Sequence, residues 1–166
     1  MKKILMITLL VGLHVSVSAQ ISTTFPYEEM DKTATAYFEA YSNLDADGMA
    51  AVYHDEINYI DETLAGSGGK AFNVSGKAAV AQKFKDEFFP VSRKFVWNEE
   101  SRFFSGNQGV FRGNLVVHYK GSINGKSDDI TYLWSAPYVV VLTFKDGKII
   151  RQNDYIDYPA SSFAEK

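Results

Sequence analysis

The sequence predicts an α+β domain, with helices in its N-terminal half and a strongly curved antiparallel sheet after them. Three observations lead there. Apolar residues recur at helical spacing up to about residue 89. From residue 93 onward the period changes to two. Short turn signals then punctuate the chain at Ser105-Gly106-Asn107, Asn124-Gly125 and Asp146-Gly147. Helical segments followed by hairpin-linked strands are the α+β pattern; alternating units with crossover helices are not present.

Each element follows from its residues. Residues 24–43 predict a first helix: Pro26, Glu28 and Glu29 suit its first turn, and Met30, Ala34, Tyr37, Phe38 and Tyr41 form one apolar stripe. Asp45 caps a short second helix carrying Met49, Val52 and Tyr53. Residues 57–61 alternate as a strand. The glycines at 66, 68 and 69 make 63–75 a loop. A third helix spans 76–89, with Val80, Phe84 and Phe88 on one face and Pro90 as its stop. Strands are expected at 93–104, 109–120, 129–144 and 148–158, and Pro137 predicts a bulge or bend in the third of these. Such a sheet can curl around the helices, with the aromatic stripe of the first helix on its concave side.

Lys2 and Lys3, an apolar run over 4–13 and Val17-Ser18-Ala19 have the order of a secretory signal peptide. Without those first 19 of its 166 residues the chain keeps 147, one domain over 20–166. An exported product, periplasmic or secreted, is the expectation. It has no Cys, so no disulfide braces the core. The net charge is −3, or −5 without Lys2 and Lys3, and no basic stretch stands out. That argues against nucleic acid as a partner, and nothing predicts membrane contact after cleavage.

Familiar motifs fail on context. GSGGKA at 66–71 has dinucleotide-loop spacing, but the helix starts too late and no crossover helices follow. GSINGKS at 121–127 is one residue short of a phosphate loop and sits in a hairpin. Asn73-Val74-Ser75 is a glycosylation sequon where the source cell glycosylates, and otherwise a helix start. His54 and His118 lack partners at metal-ligand spacing, so neither a metal nor a cofactor is expected.

Carboxylates on strands remain. Asp61 shares a face with Ile57 and Tyr59. Asp154 shares one with Ile150, Gln152, Ile156 and Tyr158, whereas Asp157 falls on the other. An acid among apolar side chains has a raised pKa, suited to proton transfer, although a hydrogen-bonded structural Asp gives the same pattern.

The order of elements, LDADGMAAVYHDEINYID over 44–61 and DGKIIRQNDYIDY over 146–158 resemble the nuclear transport factor 2-like superfamily, in its SnoaL-like and ketosteroid-isomerase-like branch. That resemblance implies a cone of three helices in a curved sheet with one pocket, and a homodimer. It implies a catalytic base at Asp61 and an oxyanion donor at Tyr37. The stretch matching the isomerase's second donor reads Val139-Val140-Val141. Similarity to limonene-epoxide-hydrolase-like members implies roles for Tyr59, Arg112, Asn114 and Asp154, with Asn114 standing where those enzymes carry a carboxylate. Strand alternation instead puts Arg112, Asn114 and His118 on the polar face.

The expected function is binding of a small hydrophobic molecule in an apolar pocket. Phe38, Tyr41, Phe88, Trp97, Tyr132 and Trp134 are the candidate walls, with Arg112 and Asn114 as further binding candidates. Asp61, Asp154, Tyr37 and Tyr59 are the candidates for metal-free acid–base catalysis of isomerase, cyclase or hydrolase type. A non-catalytic binding or dimerisation module is the alternative. A third reading has the aromatics filling the pocket and the outer sheet face as the functional surface.

Overall fold

The computed structural model describes residues 26–67 and 72–166; the expected export signal lies outside them. Helix α1, Tyr27–Ser42, buries Met30, Ala34, Tyr37, Phe38 and Tyr41, the stripe its spacing predicts. Helix α2, Ala46–Val52, is capped as expected, with the Gly48 N–H donating to Asp45 Oδ1 at 2.8 Å. Tyr53 does not continue α2 but opens strand β1, Tyr53–Asp61. Strand β2, Phe72–Ser75, occupies part of the stretch expected to be loop.

Helix α3, Lys77–Lys83, runs into a π-helical turn over Phe84–Phe88. There the Phe89 N–H donates to the Phe84 carbonyl at 2.9 Å. The extra residue in the turn lets Phe88 pack on Phe72 while Phe89 packs on Phe95. A regular helix would give adjacent side chains a fixed 100° step instead.

Strands β3 (Ser92–Ser105), β4 (Gln108–Lys120), β5 (Thr131–Lys145) and β6 (Lys148–Ile156) follow the predicted spans closely. A short strand β7, Ser162–Glu165, was not foreseen. The sheet order is β2-β1-β6-β5-β4-β3, with β7 also on β5. All described pairs are antiparallel except β1 with β6, so the sheet is mixed rather than purely antiparallel. Asp146 and Gly147 both have positive φ and close the β5–β6 hairpin as their sequence predicts. Asn124-Gly125 instead ends a short 3-10 turn within a longer β4–β5 connection.

Pro137 causes no register shift against β4. Its consequence is on the other edge of β5, which pairs β7 up to Ser135 and β6 from Tyr138. The missing N–H falls at that junction, where no ladder bond is lost. A bulge does occur in β6: Arg151 pairs Thr143 while Ile149 pairs Phe144, leaving Ile150 as the extra residue. The inward set is therefore Ile149, Gln152 and Asp154, all buried, and not Ile150. The helices and the inward sheet face share one core running from Met30 to Ile149.

Candidate functional site

Between the helices and the curved sheet lies a cavity of about 270 Å³. Its walls come from nearly every element. Tyr41 of α1 and Phe84 and Phe88 of the π turn form one side; Phe72 and Phe95 flank them. Strand β4 contributes Leu115, Val117 and Tyr119, and β5 contributes Trp134. Tyr59 and Asp61 enter from β1, Asp154 and Ile156 from β6, and Tyr158 from just beyond it.

Asp154 is 1 % exposed and its hydrogen bonds all come from neutral groups. Tyr59 donates to Oδ2 at 2.5 Å and Gln152 Nε2 donates to Oδ1 at 3.0 Å. Tyr138 donates to the same carboxyl. Burial pushes its pKa up to about 7; the Tyr138, Tyr59 and Gln152 bonds oppose that rise, and the Asp61 charge adds to it. Burial holds the Tyr59 hydroxyl well above its ordinary value, with the Asp154 charge contributing, so it stays a donor.

Behind Asp154 the network continues. Tyr53 donates to Gln152 Oε1 at 2.8 Å, and Gln152 Nε2 donates to the Tyr37 hydroxyl at 2.7 Å. Opposing demands on the amide's two ends fix its orientation.

Asp61, 8 % exposed, is held differently. Its Oδ1 accepts from the Thr63 N–H, the Thr63 hydroxyl and the Leu64 N–H, each at 2.9 Å. Its Oδ2 accepts from Tyr158 at 2.6 Å. Four donors occupy this carboxyl, and two of them are backbone groups of its own turn.

The expected site residues divide clearly. Asp61, Asp154, Tyr59, Tyr41, Phe88 and Trp134 come together around the cavity. Tyr37 does not reach it; it is fully buried behind Gln152, packed on Phe38 and Tyr53. Phe38 and Trp97 stack on each other at 5.0 Å and 8°, which closes the core beside the cavity. Tyr132 stacks on Phe163 of the unforeseen β7. Arg112 is exposed on the outer face and pairs with Glu100 at 2.8 Å. Asn114 accepts there from the Ser135 hydroxyl. Neither enters the cavity, because β4 alternates without interruption and turns both outward.

Sequence reasoning missed Phe72, Phe84 and Phe95 as walls, along with Gln152 as the link behind Asp154. Gln152 carried a signal, since alternation places it on the Asp154 face. Among the described residues no three His, Cys, Asp or Glu side chains cluster as metal ligands.

A helix-filled, curved mixed sheet enclosing one aromatic cavity with acids at its wall defines the cone-shaped class of nuclear transport factor 2-like domains. A SnoaL-like domain model matches residues 34–152, and the chain belongs to that family. Solved structures share the fold. A candidate SnoaL-like polyketide cyclase from Shewanella denitrificans has 20% identity and a TM-score of 0.67, over 78% of this chain and 91% of that one. An epoxide hydrolase of the limonene-epoxide-hydrolase type from M. tuberculosis has 17% identity and a TM-score of 0.61, over 78% and 79%. A Catenulispora acidiphila protein with a ketosteroid isomerase-like fold, solved with trimethylamine, has 12% identity and a TM-score of 0.60, over 75% and 84%. At these identities the likeness is one of fold. No curated protein matches the sequence.

Proposed function

We propose that this chain is an exported small-molecule-binding domain whose cavity carries out metal-free acid–base chemistry on a small hydrophobic substrate. One observation carries the reading: Asp154 is buried in the wall of an aromatic cavity with a pKa near neutrality. A general base or acid works best when its pKa lies near the working pH. Asp154 is the proton-transfer group. Tyr59 holds it in place and stays protonated. Asp61, its neighbour across the β1–β6 pair, acts through its charge, which raises Asp154. The reaction type is isomerisation, cyclisation or water addition, as relatives of this fold include cyclases, isomerases and epoxide hydrolases. Export rests on residues 1–19, and the homodimer on the family resemblance.

The alternative is a non-catalytic binding or dimerisation module. The fully occupied carboxyl of Asp61 favours it, because an acid with four internal donors is built like a structural one. Screening ketones, lactones and epoxides against wild type and Asp154→Asn decides between them. Turnover that falls at least about 100-fold in the variant supports catalysis. No turnover by wild type, or equal turnover by both, leaves the binding module.

A further inference from the structure

The chemistry of the cavity wall says more about the ligand than its size does. Besides its tyrosines and the Trp134 indole, the polar groups that line it are two carboxyls, Asp61 and Asp154. Among the described lining residues there is no Lys, Arg or His. The rest is aromatic or aliphatic; Tyr59 and Phe84 stack at 18°, but other ring pairs of the wall stand at steep angles: Tyr41 to Phe84 at 87°, Tyr59 to Phe72 at 66°, Phe72 to Phe88 at 61°. Rings so inclined surround a space and turn several faces and edges toward it, whereas one stacked block presents a single face.

Three ligands of equal shape would fare differently there. An anion faces two carboxyls and the negative faces of the rings. A neutral molecule gains apolar burial and any hydrogen bonds to the tyrosine hydroxyls, but no charge attraction. A cation gains the same burial, attraction to ring faces within about 6 Å, and attraction to the carboxyls in a medium less polarisable than water. A small charge spread over methyl groups costs less to remove from water than a compact ammonium, so apolar arms on the nitrogen improve the balance.

We propose that the cavity selects small organic cations, tertiary or quaternary ammonium compounds with short apolar arms, over neutral or anionic molecules of the same shape. This rests on the reading above that a small molecule enters this cavity, and it names the class.

The test uses purified protein and three near-isosteric probes in calorimetry at pH 8 and fixed ionic strength: choline, 3,3-dimethylbutan-1-ol and 3,3-dimethylbutanoate. Choline is expected to bind about tenfold or more tighter than the alcohol, and the alcohol tighter than the carboxylate. Asp154→Asn and Asp61→Asn are each expected to shrink the advantage of choline while alcohol binding persists, which also shows that the variants fold. Alcohol binding as tight as choline overturns the proposal but leaves the small-molecule reading standing. A choline advantage unchanged in both variants overturns the carboxyls as its source, and with them the proposal. Failure of all three probes to bind overturns both.

Discussion

Asp61 and Asp154 sit opposite one another on β1 and β6, the one parallel pair among the described strands, yet their surroundings differ. Backbone and hydroxyl donors of its own turn crowd Asp61. Asp154 has donors only from buried side chains, two tyrosines and an amide. Two acids on adjacent strands thus differ in the groups that reach them.

The first consequence is a titration. Asp154 is expected to show a carboxyl midpoint near 7 by carbon-13 NMR. Asp61→Asn removes a nearby negative charge and lowers that midpoint. A midpoint in the ordinary carboxylate range near 4 would remove the basis for proton transfer by this residue. If catalysis occurs with Asp154 as base, kcat/KM rises with pH through the same midpoint; with Asp154 as acid, it falls.

Stability should carry the same signature. The folded pKa lies above the unfolded one, about 7 against 3.8. The unfolded chain releases this proton first, so the contribution of Asp154 to stability is full below about pH 4 and is lost as pH rises toward 7. A shift of that size corresponds to about 4 kcal/mol across the window. Urea unfolding at pH 5 and pH 8 spans most of that window, so wild type should lose about 2–3 kcal/mol between them and Asp154→Asn less. Equal slopes in the two proteins would contradict it.

Alternation along β1 and β6 brought Tyr59, Asp61 and Asp154 inward from sequence alone, because those segments are regular where the acids lie. The same logic misplaced Ile150, since the bulge between Ile149 and Arg151 leaves no mark in the residue pattern. The pairing of β1 with β6 was invisible for a different reason. Turn signals report neighbours joined by tight connections, whereas this parallel pair joins residues more than 90 apart. Strand β2 is four residues behind a glycine-rich stretch, too short to show a period. Phe38 and Trp97 are apolar and inward as expected. Which apolar side chains fill the core and which leave a space depends on packing, and composition does not encode it.

Arg112→Ala should leave ligand binding and any turnover unchanged. Its guanidinium lies on the outer face with Glu100, and exposed pairs of this kind contribute about 0–1 kcal/mol. A loss of binding above about fivefold would put Arg112 in the site after all.

Gly113→Ala is expected to destabilise the sheet. A Cβ at this position would lie 2.2 Å from the Asn98 carbonyl oxygen and 2.9 Å from the Trp97 ring. The clash is with backbone, so β3 and β4 must separate beside the irregularity between Glu99 and Ser101. A cost of about 1–3 kcal/mol is expected, measured as a lower urea midpoint with unchanged slope.

Tyr37→Phe separates a direct role from an indirect one. The hydroxyl accepts from Gln152 and does not line the cavity, while the ring fills space between Phe38, Tyr41 and Tyr53. Phenylalanine keeps the ring. It leaves Gln152 Nε2 bonded to Asp154 alone, and Gln152 Oε1 still accepts from Tyr53. The expected result is a loss of about 1–2 kcal/mol of stability, with ligand affinity changed by less than about twofold. A donor to a developing oxyanion would behave in the opposite way: stability nearly intact and turnover reduced by about 100-fold or more. The pairing of those two measurements, taken on one variant, decides whether Tyr37 touches the reacting molecule or only the amide that holds Asp154.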